Sequence, residues 1–105
     1  MRLTELASVI RSKNAGPYLL TFDVLFKNRS CFENFKNSRL MTIEKAAELY
    51  GTDVDDVVSV IFFDPADALK ITINRPVVSG GLGDSDIYGA QQHAPLLDWQ
   101  FDLPV

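Results

Sequence analysis

A chain of 105 residues, 47% apolar and 23% charged, has the composition of a single ordinary globular domain. Its net charge of −4 argues against the clustered Lys and Arg of a phosphate-binding surface, and the lone Cys31 excludes a disulfide framework or a thiolate metal cluster. No apolar run approaches the roughly 20 residues that span a bilayer, and the amino terminus lacks a signal-peptide h-region, so a cytoplasmic chain with neither nucleic acid nor membrane among its partners is expected.

Leu3, Leu6, Val9 and Ile10 recur at helical spacing, with Thr4 as N-cap ahead of Glu5. This predicts a first helix with Arg11 and Lys13 in its last turn, where cations suit the dipole, and a stop at Asn14-Ala-Gly-Pro17. Tyr18 to Phe26 reads as a strand, with Leu20, Phe22, Val24 and Phe26 on one face and Leu19, Thr21, Asp23 and Leu25 on the other. Ser30-Cys-Phe-Glu33 has the capping-box pattern and opens a short helix through about Ser38 that turns Phe32 and Phe35 inward.

Thr42 caps a second helix whose stripe is Ile43, Ala46, Ala47, Leu49 and Tyr50, and Gly51 closes it. After the polar turn at Asp53 to Asp56, the apolar run Val57 to Phe63 has the pattern of a central strand. Asp64-Pro-Ala-Asp67 is a tight connection in which Asp64 caps one turn starting at Pro65. Leu69, Ile71 and Ile73 then alternate with Lys70, Thr72 and Asn74 as a strand that Pro76 ends. The expected fold is α+β: a small three- or four-stranded mixed sheet covered on one face by short helices. Its last two strands form an antiparallel hairpin, and the third strand lies between the first two. Residues 1–78 form this scaffold and 79–105 a long C-terminal arm.

Chemistry-bearing residues concentrate in that arm and in the bend at Arg11 to Pro17. His93 is the one side chain whose ordinary pKa lies near neutrality, so acid–base catalysis starts there; the alternative is a histidine packed at an interface. Asp84, Asp86 and His93 match neither an EF-hand nor a zinc spacing, so no metal is assigned. Ser79-Gly-Gly-Leu-Gly83 precedes no helical pattern and reads as a turning hinge rather than a phosphate loop. Cys31 reads as a small buried residue, with a lowered pKa near a helix start as the alternative. Arg11 can present a bidentate fork to a carboxylate, or simply end a helix. Trp99 and Phe101 form a short terminal strand or anchor the chain to a neighbour.

Three stretches carry a resemblance: Ile10-Arg-Ser-Lys-Asn-Ala-Gly-Pro17, Phe62-Phe-Asp-Pro-Ala66 and Asp84-Ser-Asp-Ile-Tyr-Gly-Ala-Gln-Gln-His-Ala-Pro-Leu-Leu97. With them the chain resembles an uncharacterised bacterial small-domain family encoded beside, or fused to, acyclic-terpene-utilisation AtuA-like proteins. The resemblance implies the small component of a two-part catabolic system for acyclic terpenes or small organic acids, with no cofactor and no catalytic assignment. It favours placing the bend and the arm on one surface, where Arg11, Lys13, Asn14, Gly16, Tyr88, Gln91, Gln92 and His93 would bind a carboxylate or the partner. A subunit completing a site of a larger AtuA-like protein is the first expectation. A stand-alone lyase, hydratase or isomerase using His93, and a homo-oligomeric small-acid binder joined through the arm, are the alternatives.

Overall fold

The computed structural model describes residues 1–15, 18–74 and 94–103. Its elements are β1 (Ala7–Asn14), β2 (Leu19–Phe26), α1 (Arg29–Ser38), α2 (Ile43–Tyr50), β3 (Val57–Phe63), β4 (Ala68–Asn74) and α3 (Ala94–Asp98). The four strands form one sheet in the order β1-β2-β4-β3, and every neighbouring pair is antiparallel. The hairpin of β3 with β4, and the position of β4 between β2 and β3, are as expected. The mixed sheet is not: inserting β4 between β2 and β3 removes the one contact that would have been parallel.

Period two decides which side of each central strand is buried. Leu20, Phe22, Val24 and Phe26 of β2 are all buried, as are Leu69, Ile71 and Ile73 of β4. On this inner face lie α1 and α2. Phe32 and Phe35 of α1 are fully buried, and Ala46 and Ala47 of α2 let that helix approach closely. Thr42 Oγ1 accepts from the Lys45 N–H at 3.1 Å, and Gly51 closes α2 with φ of 61°, a left-handed conformation that glycine adopts without a Cβ clash. The cap of α1 is Asn28, whose Oδ1 accepts from the Cys31 N–H at 2.9 Å; Ser30 is already inside the helix. Cys31 is half-buried.

Two expected elements change. The predicted first helix is a single 3-10 turn, Leu3–Glu5, followed by β1. Leu3 and Leu6 do share a buried side, which explains the helical spacing. From Ala7 onward, pairing with β2 from Ala7↔Phe26 to Asn14↔Leu20 satisfies the backbone groups on the free side of β2. The β-branched Val9 and Ile10 fit that extended backbone. Arg11 and Lys13 therefore sit on an edge strand, not at a helix terminus.

The second change concerns β3, which is an edge strand rather than a central one. Its apolar run reflects exposure on one side: Val57 is buried, whereas Val58, Ile61 and Phe63 are 54%, 49% and 54% exposed. At its end Asp64 belongs to the turn Asp64–Ala66 and makes no side-chain cap. Instead Lys36 Nζ donates to Asp64 Oδ1 at 2.9 Å, which holds that carboxyl below its ordinary range. Arg29 donates to the Asp64 carbonyl at 2.7 Å and to Asp67 Oδ1 at 2.8 Å, tying α1 to the β3–β4 turn.

The last described stretch returns to the core of its own chain. Gln100 bridges antiparallel to Arg2, and the Phe101 N–H donates to the Met1 carbonyl at 2.9 Å. Leu96 is fully buried, and Trp99 and Phe101 are 8% exposed.

Tyr50 stacks on Phe22 at 4.4 Å between centroids, yet its buried hydroxyl has no hydrogen-bond partner among the described residues. Burial pushes the phenol well above its ordinary pKa, so it stays neutral at physiological pH. Tyr50→Phe removes an unsatisfied group and keeps the ring. It is expected to leave stability unchanged or raise it by about 1 kcal/mol, read from denaturant midpoints. A loss larger than that would mean the hydroxyl has a partner in solution.

Candidate functional site

The outward face of the sheet is built by the residues of opposite parity, and the strand registers stack them in three rows. The first row runs Val9, Leu25, Ala68, Phe63; the second Arg11, Asp23, Lys70, Ile61; the third Lys13, Thr21, Thr72, Ser59. Directly opposed residues in such a ladder have Cβ atoms about 5 Å apart. Apolar, charged and hydroxyl rows thus lie side by side.

Three cations, Arg11, Lys13 and Lys70, share this face with one carboxylate, Asp23. Arg11 Nε approaches Asp23 Oδ2 at 3.4 Å, with the arginine side chain 58% exposed and the aspartate 13%. At that distance and exposure the pair is weak, worth about 0.5 kcal/mol. Asp23 thus lies in register between Arg11 and Lys70, and Lys13 adds further positive charge on β1. In a chain of net charge −4, this is a local reversal of sign. Thr21, at the centre of the third row, is buried.

The structure therefore brings Arg11 and Lys13 together on one face of β1. Asn14, of opposite parity at the end of β1, is half-buried and engaged. Gly16, Tyr88, Gln91, Gln92 and His93 lie outside the described residues, as do Asp84 and Asp86. Among the described residues, no group of three His, Cys, Asp or Glu side chains is placed to hold a metal ion, and no helix is long and apolar enough to cross a membrane.

Sequence reasoning missed Asp23, Lys70 and the exposed β3 residues as parts of one surface. The signal was present in the alternation of Thr21 with Asp23 and of Lys70 with Thr72, which marks the wet faces of two strands. What joins those faces is the β2–β4 register, which no local pattern encodes.

A family model described as Domain of unknown function (DUF4387) matches residues 3–100. Comparison with curated proteins and with solved structures gives no match.

Proposed function

We propose, for a chain that belongs to the DUF4387 family of unknown function, the role of a small subunit that completes a carboxylate-binding surface of a larger enzyme. The observation that carries the reading is the outward sheet face. Its β1 and β4 side holds Arg11, Lys13 and Lys70, and its β3 side holds the exposed Ile61 and Phe63. Cations suit the head of a small organic or acyl carboxylate, and the apolar edge suits a protein partner or an apolar substrate tail. The resemblance noted from the sequence supports an AtuA-like protein as that partner, and acyclic terpenes or small acids as the substrate class. In this reading Arg11 and Lys13 bind the carboxylate from β1, and the segment bearing Tyr88, Gln91, Gln92 and His93 supplies the remaining polar groups.

Reconstitution tests it. Mixed with an AtuA-like protein, the chain is expected to form a stoichiometric complex by sedimentation. Arg11→Ala should leave that assembly intact and lower kcat/KM for a carboxylate substrate by about 10- to 100-fold, the range of one lost charge-assisted hydrogen bond. Turnover by the isolated chain that His93→Ala abolishes would make it a stand-alone enzyme instead. A homo-oligomer that binds the acid without any partner would make it a binding protein.

A further inference from the structure

We propose that the free edge of β3 is a strand-addition site for an extended segment of the partner, apolar at alternate positions and cationic at its ends. The proposal rests on the subunit reading only for who supplies that strand. Four observations carry it. β3 is the outer strand of the sheet, and among the described residues its backbone pairs with no strand but β4, the Val57 N–H turning back to the Val54 carbonyl. An edge left in this state presents a row of unpaired N–H and C=O groups, the template that strand addition uses. Val58, Ile61 and Phe63 of this edge are each about half exposed, at 54%, 49% and 54%. The fourth observation is charge.

From Gly51 to Leu69 the chain carries Asp53, Asp55, Asp56, Asp64 and Asp67, and neither Lys nor Arg. At the exit of β3, Asp64 and Asp67 are matched by Lys36 and Arg29 at 2.9 and 2.8 Å. At the entry, Asp53, Asp55 and Asp56 make no ion pair with any described residue. A second copy of this chain is thereby disfavoured: parallel pairing of two β3 edges opposes entry to entry, and antiparallel pairing opposes entry to exit. Parallel pairing sets the unpaired entry aspartates against their own copies; antiparallel pairing sets them against aspartates already held by Lys36 and Arg29, and gives them no free cation. The bulge between Val57 and Ser59 further limits regular pairing to Ser59–Phe63. A foreign strand with Lys or Arg at its ends meets the same edge with opposite charge.

The full chain would be titrated with two synthetic peptides that share a Val-Thr-Val-Thr-Val centre. One carries two lysines at each end and the other two glutamates. The lysine peptide is expected to bind at least about tenfold more tightly at low ionic strength, with the difference shrinking in 1 M salt. It should slow amide exchange within Ser59–Phe63 and leave β1 unaffected. An Ile61→Lys/Phe63→Lys variant changes only exposed side chains, so it should keep its unfolding midpoint and lose the lysine peptide.

Equal binding of the two peptides, no binding of either, protection on β1, or concentration-dependent pairing of the chain with itself through β3 would each overturn the proposal. If the edge fails these tests while the chain still assembles with the AtuA-like protein, the subunit reading stands without it. If the lysine peptide binds β3 and no AtuA-like complex forms, the edge stands and that choice of partner falls.

Discussion

Phe35→Ala is expected to lower the unfolding free energy by about 3–5 kcal/mol, the usual cost of emptying a buried aromatic site. Phe35 is fully buried, and its ring meets β2, β3 and the C-terminal stretch. Its centroid lies 5.5 Å from Phe26 of β2, 6.3 Å from Phe62 of β3, and 5.9 and 5.5 Å from Trp99 and Phe101 of the C-terminal stretch. The two with Trp99 and Phe101 are edge-on, a geometry aromatic pairs prefer beyond simple area burial. The cavity is bordered by two strands and the C-terminal stretch, so it cannot close by moving one side chain. Each kcal/mol lost should lower the melting temperature by about 4–8 °C in a domain of this size. A fall in stability below about 1 kcal/mol, measured by urea unfolding, would show that the rings are not packed as described.

Trp99→Ala is expected to cost a similar amount, about 3–5 kcal/mol, although the residue lies within a few positions of the end of the chain. Trp99 is 8% exposed, packs at 4.6 Å against Phe101, and takes Lys45 Nζ over its face at 5.8 Å. The alternative, a terminal aromatic that anchors the chain to a neighbour, predicts a small loss in the monomer and a melting temperature that rises with protein concentration. Docking within the same chain predicts a large loss and no concentration dependence. Because Trp99 and Phe35 touch, the Phe35→Ala/Trp99→Ala pair should fall short of additivity by roughly 0.5–3 kcal/mol. Additive losses would place the two side chains in separate clusters.

The residues that sequence reasoning placed correctly share one property: their burial repeats with the period of their own element. Leu20, Phe22, Val24 and Phe26 alternate and lie inward; Leu69, Ile71 and Ile73 do the same; Phe32 and Phe35 sit one turn apart on α1. Thr42 and Gly51 bound α2 because capping chemistry is local. Sequence reasoning singles out Arg11 and Lys13 as cations but sets them at a helix end; only the strand β1 gives them a common face.

What failed was context. Leu3, Leu6, Val9 and Ile10 fit a helix as well as they fit a 3-10 turn followed by a bulged strand, and only a free backbone edge on β2 decides between them. Val57–Phe63 fits a central strand as well as an edge, because composition reports apolarity and not what covers it. The sequence by itself therefore determined the inner faces of β2 and β4, the caps of α2 and the β3–β4 hairpin, all set by interactions within a few residues. Tertiary structure decided that Asp23 and Lys70 join Arg11 on one surface, that β3 lies at the edge, and that Trp99 closes the core. Those outcomes depend on strand order and register, and backbone hydrogen bonds between distant segments are blind to the side chains that local pattern reads.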